Sequence, residues 1–455
     1  MYVKDKLITV FEYEKVPYDD LEDKLIDVDL NRIKNQIEKI NVSLKTEVIT
    51  LRWNYLQAKN YVGFIKLKKY SIQIIPKIYR IDGDLELEIP RNVNFLLFLF
   101  QYLKKSLWKI KQHDLGTLSR MKGDIFEFFI YFFANNLKIL INQGIYKSYM
   151  KINENNCFLK GKFLIDKQIK YNSTKKWKFC YEYEEFTEDN ILNQTLKYVC
   201  FLLKKHSTNS RSERLLTDVL ALLNDVKLRQ IRPADFKFLH FDRINSAYKP
   251  FIDFCKIFIE QSNIGFNYED FKSFYFLFDM NKLFEGFLSE FINRNKDKIF
   301  VNKIHDLIEI RGQLDYYSIG KLFDKFKLYP DLHLRYNEKN KEKYILLDFK
   351  YKILDPSKRN LSLSRSDLFQ MFTYSQSQDE KYNNIILLFP EAEFMKSNID
   401  NFYRHSKISC EVNLFVKTIN LQKIFFFDEA KNVKYNIIEW QKKLISQLNK
   451  ILVLN

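Results

Sequence analysis

The strongest constraint in this chain is an apolar segment, YILLDFKYK at residues 344–352, that carries an acid and a lysine two positions apart. Side chains of a β-strand alternate between its two faces, so Asp348 and Lys350 share one face and Phe349 lies on the other. The near-continuous apolar run at residues 345–347 is typical of a strand buried on both sides. Charged side chains at the end of such a strand are costly unless they bind something. The segment therefore predicts a central strand that ends in a functional site.

A second acid precedes this strand and completes a pair of carboxylates. Asp331 follows Pro330 at the start of DLHLRY, and the polar loop NEKNKEK would lay that segment antiparallel beside YILLDFKYK. Two carboxylates from adjacent strands can hold a divalent metal through oxygen ligands. The metal would polarise a phosphodiester and activate a water, while Lys350 would orient that water or balance the developing charge. The pair predicts metal-dependent phosphodiester hydrolysis.

Helices on either side of these strands supply further polar side chains. DMNKLFEGFLSEFINRN predicts a helix with Glu285 at the edge of its apolar side, either as an ordinary boundary charge or as a further acid facing the metal. RSDLFQMFTYSQS predicts a helix with Gln370 and Tyr374 one turn apart on one face, in supporting positions. His333 and Arg335 share a face with Asp331 and could reach a phosphate, or serve only the strand.

The pattern along the 455 residues changes twice, which favours an α+β multidomain protein. Residues 1–90 contain short alternating runs such as SIQIIPKIY and predict a β-rich, partner-docking domain. Residues 91–265 contain long amphipathic runs and predict a mainly helical region, with a long basic β-hairpin near residues 157–182. Residues 266–455 alternate between helices and strands and predict an α/β domain.

The net charge of +17 suits a partner of opposite charge, such as a nucleic acid, but is also expected of any lysine-rich chain. The predicted hairpin combines seven lysines with Tyr171 and Trp177 and could hold a nucleic-acid backbone, or be an exposed edge that lysines protect. An acidic stretch from Glu12 to Asp29 is either a solvated face or a docking surface for a basic partner.

Several classes of protein are disfavoured. The five cysteines are scattered and predict neither a disulfide framework nor a zinc ribbon. The most apolar runs are too short or carry a charge, so we expect no membrane span and a cytoplasmic protein. The sequence has no G-x-x-x-x-G-K-[ST] motif, so we expect no nucleoside triphosphate bound through a P-loop.

The order of these motifs resembles the PD-(D/E)xK nuclease superfamily: a helix with Glu285, then Pro330-Asp331, then Asp348-Phe349-Lys350, then a Gln-x-x-x-Tyr helix. Most of residues 50–375 also resembles the McrC family, the nuclease subunit of McrBC-type 5-methylcytosine restriction systems. The resemblance lies in NYVGFIKLKKYSIQIIPKI, in GIYKSYMKINENNCFLKGKF, in YEEFTEDNILNQTLKY with Asp189 and Asn193, and in MNKLFEGFL and LLDFKYK. Phe349 stands where the family more often has Ala.

The resemblance implies a C-terminal restriction-endonuclease-like domain and a DNA endonuclease with Mg²⁺ held by Asp331 and Asp348, aided by Glu285, with Lys350 catalytic. It also implies an McrB-like AAA+ GTPase hexamer as partner, which binds GTP and chooses the modified DNA. Alternatives are a non-catalytic scaffold that only activates the AAA+ partner, a subunit of a LlaJI-type sequence-specific system, and a freestanding RecB-like exonuclease.

Overall fold

The computed structural model forms two compact units, one comprising Met1–Ile125 with Lys272–Asn455 and the other Phe126–Phe271. The residues it describes are 2–4, 7–24, 29–67, 70–77, 85–102, 124–264, 271–300, 307–312, 318, 321–322, 326–338, 341–358, 360–376, 384–391, 400–407, 410–421 and 437–452.

Strands are numbered in chain order. They are β1 (Tyr2–Lys4), β2 (Leu7–Phe11), β3 (Lys15–Pro17), β4 (Ile49–Leu51), β5 (Tyr55–Ala58), β6 (Tyr61–Leu67), β7 (Ser71–Ile75), β8 (Ser148–Asn156), β9 (Lys162–Phe163), β10 (Phe179–Thr187), β11 (Ser262–Ile264), β12 (Phe271–Asp279), β13 (Leu307–Arg311), β14 (Lys321–Leu322), β15 (Phe326–Lys327), β16 (Leu332–Glu338), β17 (Lys341–Phe349), β18 (Asn384–Pro390), β19 (Asp400–Lys407) and β20 (Cys410–Ile419).

Helices are numbered in the same way. They are α1 (Tyr18–Lys24), α2 (Leu30–Leu44), α3 (Leu85–Phe100), α4 (Ile125–Asn142), α5 (Ile165–Asn172), α6 (Ile191–His206), α7 (Ser210–Leu222), α8 (Lys249–Gln261), α9 (Met280–Arg294), α10 (Lys296–Ile299), α11 (Arg365–Ser375) and α12 (Ile437–Leu452). Short 3₁₀ helices span Pro233–Phe238 and Ser246–Tyr248.

The N-terminal sheet of the first unit has the order β1-β2-β7-β6-β12. β2 and β7 are parallel, whereas β6 runs antiparallel to both β7 and β12. Gly63 in β6 has a φ of +130°, and a Cβ there would lie 2.0 Å from the carbonyl oxygen of Phe276 in β12. Because only glycine fits such an approach, Gly63 allows a strand from far along the chain to join this sheet.

Seven of the described strands, β1 to β7, lie within the first 90 residues, and the acidic stretch within them is not one solvated surface. Glu12 and Glu14 are buried, at 3% and 9% exposed, because they lie in a tight turn between β2 and β3. The predicted domain boundaries at residues 90 and 265 stay predictions. The compact units divide the chain at residues 125 and 272 instead, and β12 belongs to the N-terminal sheet.

The second unit is mainly helical, but the long hairpin predicted at residues 157–182 is wrong. β10 pairs along its whole length with the earlier strand β8, and β9 adds only two residues on the other side of β10. The residues predicted as the hairpin's first arm form helix α5 instead. Ile165 and Ile169, four positions apart, give α5 a helical period, and buried Asn172 joins α5 to β8 and β10 through Asn155 and Cys180.

One described helix, α4, is long and apolar enough to cross a bilayer, but 67% of it is buried within the protein. Phe133 of α4 packs against Phe254 of α8, with ring centroids 4.8 Å apart. These properties are those of a core helix.

The C-terminal sheet of the first unit has the order β13-β16-β17-β18-β20-β19. β16 and β17 pair antiparallel, as the sequence predicts, whereas β17, β18 and β20 are mutually parallel. β17 is therefore a central strand, and its residues 345–349 are all buried. Leu346 packs in one cluster with Met371 of α11, so α11 covers the face that also carries Asp348 and Lys350.

Candidate active site

The two predicted carboxylates lie opposite each other on neighbouring strands. Leu332 of β16 pairs with Leu347 of β17, and extending this register by one residue places Asp331 opposite Asp348. Directly opposed residues of an antiparallel pair point to the same face. Both side chains are buried, at 6% and 2% exposed.

Backbone contacts fix the position of Asp331. Its Oδ2 accepts a hydrogen bond of 2.7 Å from the backbone N–H of Phe349. Ser289 of α9 donates a 3.2 Å hydrogen bond to its carbonyl oxygen. Gly312, just after β13, lies against the same carbonyl, and a Cβ there would be 2.2 Å from that oxygen. Phe349 thus fixes the carboxylate, while Ser289 and Gly312 fix the backbone that carries it.

Lys350 lies between Asp348 and helix α11. Its Nζ is 2.7 Å from Oδ2 of Asp348 and donates a 3.1 Å hydrogen bond to Oε1 of Gln370. The amide of Gln370 donates to the hydroxyl of Tyr374 at 2.8 Å, and that hydroxyl donates to the carbonyl oxygen of Tyr329 at 2.9 Å. Gln370 and Tyr374 thus share one face of α11 and hold the ammonium group from the side opposite Asp348.

Glu285 of α9 completes the cluster. It lines a cavity of about 440 Å³ together with the residues just described. The full lining is Glu285, Lys327, Leu328, Tyr329, Asp331, Asp348, Lys350, Gln370, Thr373 and Tyr374. The structure therefore brings six of the eight side chains considered from the sequence to one cavity: Glu285, Asp331, Asp348, Lys350, Gln370 and Tyr374.

The three carboxyl groups of this cavity all have raised pKa values. Burial raises the pKa of Glu285 to about 7, and Asp348 and Asp279 add to the rise while Lys350 opposes it. Burial, followed by the charges of Asp348 and Glu285, raises the pKa of Asp331 well above its ordinary value. Burial also raises the pKa of Asp348 against the pull of Lys350. One lysine does not balance the buried Asp331 and Asp348 and the half-buried Glu285, and such a set favours a further cation.

Lys350 itself is stabilised in its charged form. Burial acts to lower its pKa, but the charge and hydrogen bond of Asp348, together with the charges of Asp331 and Glu285, raise the pKa above the ordinary lysine value. Lys350 therefore carries a positive charge at neutral pH in this structure.

His333 and Arg335 do not line the cavity. His333 is buried with its ring stacked on Tyr344, and burial lowers its pKa to about 4, so it is neutral at pH 7. Arg335 forms two hydrogen bonds with Glu342 on the next strand. Both side chains serve the β16–β17 pair rather than the cavity.

The carboxylates of Asp331 and Asp348 suit a magnesium ion that keeps several of its water ligands. Among the described residues, no three His, Cys, Asp or Glu side chains are already close enough to enclose one ion. Mg²⁺ does not need such a cage, since it usually keeps several waters and binds through one or two carboxylates plus substrate phosphates. Asp331 and Asp348 supply those two carboxylates, and Oδ2 of Asp348 accepts no well-directed hydrogen bond although Lys350 is near.

Sequence reasoning missed several residues at this site. Lys327, Tyr329 and Thr373 line the cavity, and the only signal for Lys327 was its basic charge shortly before Pro330. Gly312 had no signal, because its role depends on a carbonyl group of another strand. Asp189, noted for its part in the family resemblance, instead accepts hydrogen bonds from Gln194 and from the backbone of Lys227 in the second unit.

Together, the mixed sheet and the paired carboxylates with a lysine define a multidomain α+β protein with a polar, acid-lined site at the end of a central strand. The sequence model described as "McrBC 5-methylcytosine restriction system component" matches residues 56–390, well over half of the chain. The chain belongs to this McrBC family. No curated protein matches the chain.

Two solved structures are similar to the chain. A chain of the half-complex from the tetradecameric assembly of Thermococcus gammatolerans McrB AAA+ hexamers with bound McrC has a TM-score of 0.65 at 21% identity, covering 98% of this chain and 100% of that chain. A chain of the Thermococcus gammatolerans McrBC complex has a TM-score of 0.49 at 24% identity, covering 64% of this chain and 88% of that one. The first similarity indicates a shared fold along nearly the whole chain.

Proposed function

We propose that this chain is the DNA endonuclease subunit of a McrBC-type restriction complex and hydrolyses phosphodiester bonds with Mg²⁺. The observation that carries the proposal is the convergence of Asp331, Asp348 and Lys350 at the end of a buried central strand. Membership of the McrBC family supports it independently. A restriction nuclease acts on DNA that has entered the cell, so we place the activity in the cytoplasm.

Each side chain of the site would have its own role in the reaction. Asp331 and Asp348 would hold Mg²⁺, with Glu285 able to contact its water ligands, and the ion would polarise the phosphate and lower the pKa of a bound water. Lys350 is charged and fixed by Asp348 and Gln370, so it can orient the attacking water and balance charge on the phosphate. Exposed Lys327 at the cavity edge is placed to contact the DNA backbone.

The partner we propose is an AAA+ GTPase. The structure with the TM-score of 0.65 is a complex of McrB AAA+ hexamers with McrC, and this sequence has no P-loop of its own. The partner would bind GTP and select modified DNA, and we expect efficient cleavage only in its presence. A freestanding nuclease would not need the second compact unit, none of whose described residues lines the cavity.

We place the docking surface on the sheet β8-β10-β9 and helix α5 rather than on residues 1–90. Ten large apolar side chains are exposed within residues 149–186: Tyr149, Met150, Phe158, Leu159, Phe163, Ile165, Ile169, Tyr171, Trp177 and Phe186. So many exposed apolar side chains on one short segment are typical of an interaction surface. Buried Glu12 and Glu14, in contrast, cannot contribute to an acidic docking surface.

The test is cleavage of modified and unmodified plasmid DNA by the chain alone, with its AAA+ partner, and with partner plus GTP. We expect efficient double-strand cleavage only with partner, GTP and Mg²⁺. Lys350→Ala should abolish cleavage while GTPase stimulation persists. Lys352→Ala is the matched control, because Lys352 is the next lysine of the same segment and donates to the carbonyl oxygen of Ser362 instead.

Four results would contradict this proposal. Cleavage at the wild-type rate by Lys350→Ala would remove the site assignment. Wild-type stimulation of GTP hydrolysis without any DNA cleavage would favour a non-catalytic scaffold. Full activity of the chain alone would favour a self-sufficient nuclease, and cleavage of unmodified DNA at a fixed sequence would favour a sequence-specific restriction subunit.

A further inference from the structure

Glu12 is a buried carboxylate that lies outside the cavity yet contacts the strand that carries it. It follows β2 in the N-terminal sheet and is only 3% exposed. The next residue, Tyr13, has a φ of 61°, in the left-handed region. Glu14 then reaches back to accept a 2.9 Å hydrogen bond from the backbone of Phe11. This turn closes on itself and leaves Glu12 directed into the protein.

The contacts of Glu12 are unusual for a residue that only stabilises a fold. Its Oε2 accepts hydrogen bonds from the hydroxyl of Tyr351 at 2.8 Å and from the backbone of Lys77 at 3.2 Å. Its Oε1 is buried and accepts no hydrogen bond from any described residue. A buried carboxylate with an unsatisfied oxygen destabilises the folded state. Residues that destabilise the folded state in this way are expected at functional positions.

Tyr351 lies at the point where the catalytic strand leaves its sheet. It directly follows Lys350, whose backbone N–H donates to the carbonyl oxygen of Leu388 and continues the pairing of β17 with β18. The ring of Tyr351 is buried and packs on Phe284 of α9, with centroids 5.6 Å apart. Phe284 precedes Glu285. Tyr351 therefore lies between the strand that carries Asp348 and Lys350 and the helix that carries Glu285.

We propose that Glu12 is a positioning residue of the nuclease site, which through the hydroxyl of Tyr351 fixes the end of β17, and with it Lys350, against helix α9. This inference rests on the proposed function and deepens it. Asp348 lies within β17 and Asp331 directly precedes its partner strand β16, whereas Lys350 follows the last residue of β17. Asp348 and Gln370 fix its ammonium group, and Tyr351 adds an anchor for the backbone at this point. The N-terminal sheet supplies that anchor from a residue 339 positions away in sequence.

Charged and aromatic side chains from several strands surround Glu12. The ammonium group of Lys77 lies 4.0 Å from the ring centroid of Tyr13 and 5.7 Å from that of Tyr351. Asp279 raises the pKa of Glu12 further and itself begins α9, where its Oδ1 accepts hydrogen bonds from Asn60 and Asn281. β2, β7, β12 and β17 thus meet around this one carboxylate.

The first experiment does not depend on nuclease activity. Amide hydrogen exchange of the full chain is measured for the peptide that covers residues 345–352 in Tyr351→Phe and Glu12→Ala. Loss of one charge-assisted hydrogen bond should speed exchange of this peptide by about tenfold. Tyr18→Phe and Glu14→Ala are the matched controls, because each removes a comparable hydrogen bond of the N-terminal region that does not reach β17. Their exchange in this peptide should stay unchanged.

The second experiment measures cleavage with the AAA+ partner, GTP and Mg²⁺. A misplaced catalytic group can lower the rate by up to about a hundredfold, so we expect kcat to fall at least about tenfold in Tyr351→Phe and Glu12→Ala, with KM for DNA unchanged. Glu12→Gln keeps an oxygen acceptor for Tyr351 and should stay within about threefold of wild type.

The outcomes separate the two proposals. If the wild-type complex does not cut DNA, or if Lys350→Ala cuts normally, the proposed function fails. If the wild type is active and Tyr351→Phe has the kcat and the exchange rate of its control Tyr18→Phe, the function stands and the positioning role of Glu12 is refuted. Equal losses of kcat in Glu12→Ala and Glu14→Ala would also refute it, because they would indicate a general effect on the N-terminal sheet.

Discussion

Replacing Glu12 by Gln should make the stability of the first unit less dependent on pH. Burial raises the pKa of Glu12 in the folded chain to about 7, against an ordinary value of 4.5. Between these two values the folded state binds more protons than the unfolded state, so Glu12 makes the free energy of unfolding fall as pH rises. Above pH 7 the full penalty is present, and below pH 4.5 it is absent.

The size of the effect follows from the two pKa values. One pKa unit corresponds to about 1.4 kcal/mol, and linkage gives a loss of about 2.5 kcal/mol between pH 5 and pH 8 for this pair of values. Glutamine is uncharged at both pH values, so Glu12→Gln should gain about 2.5 kcal/mol relative to wild type over that interval. Any cost of an unpaired amide hydrogen is the same at both pH values and cancels in the comparison.

The assay is equilibrium urea unfolding of both proteins at pH 5 and pH 8, with hydrogen exchange of β2 reporting the unit concerned. Glu14→Gln is the matched control, and its pH dependence is subtracted to leave the part that belongs to Glu12. A difference between Glu12→Gln and wild type that changes by less than about 0.5 kcal/mol between the two pH values would refute the reasoning, since a charged Glu12 would then carry no burial penalty.

Three further predictions follow from the site and the docking surface. Gly312→Ala should destabilise the first unit by about 2 kcal/mol and reduce cleavage more than it reduces GTPase stimulation, because the added Cβ would displace the carbonyl of Asp331; normal cleavage with normal thermal stability would contradict this. Lys327→Ala should weaken DNA binding similarly for all sequences and reduce its salt dependence, measured by fluorescence anisotropy at several salt concentrations; an unchanged salt slope would place Lys327 off the DNA path. Ile169→Asp, at a side chain 67% exposed, should leave the melting temperature unchanged but abolish stimulation of the partner's GTPase, with Ile438→Asp as the matched exposed control; loss of DNA binding with normal stimulation would instead assign the surface to nucleic acid.

Much of the C-terminal sheet could be predicted from the sequence because its signals are local. The apolar run before Asp348 predicts burial on both faces, and β17 is a central strand. Alternation along the strand places Asp348 and Lys350 on one face, and the polar loop after DLHLRY predicts the antiparallel pairing that brings Asp331 opposite Asp348. Helical spacing alone places Gln370 beside Tyr374. Each of these inferences uses residues within a few positions of each other.

The basic segment of the second unit shows where local signals fail. Its alternating apolar residues and its central polar stretch suggested one hairpin, yet the sequence between Ile165 and Asn172 satisfies a helical period equally well. The outcome was decided by β8, whose nine residues offer β10 a longer partner than the predicted arm could. A short alternating run does not identify its own partner, because strand pairing depends on which other strand is available.

The sequence by itself indicated which acids, which lysine and which helices line the cavity. Only the tertiary structure decided what holds these groups in place. Gly312 matters because a strand carbonyl lies where its Cβ would be, and Glu12 matters because it meets Tyr351 across 339 positions of sequence. Contacts of this kind leave no periodicity or spacing in the chain. They arise when the N-terminal sheet and α9 pack beside β17, and so they can be found only once the chain is folded.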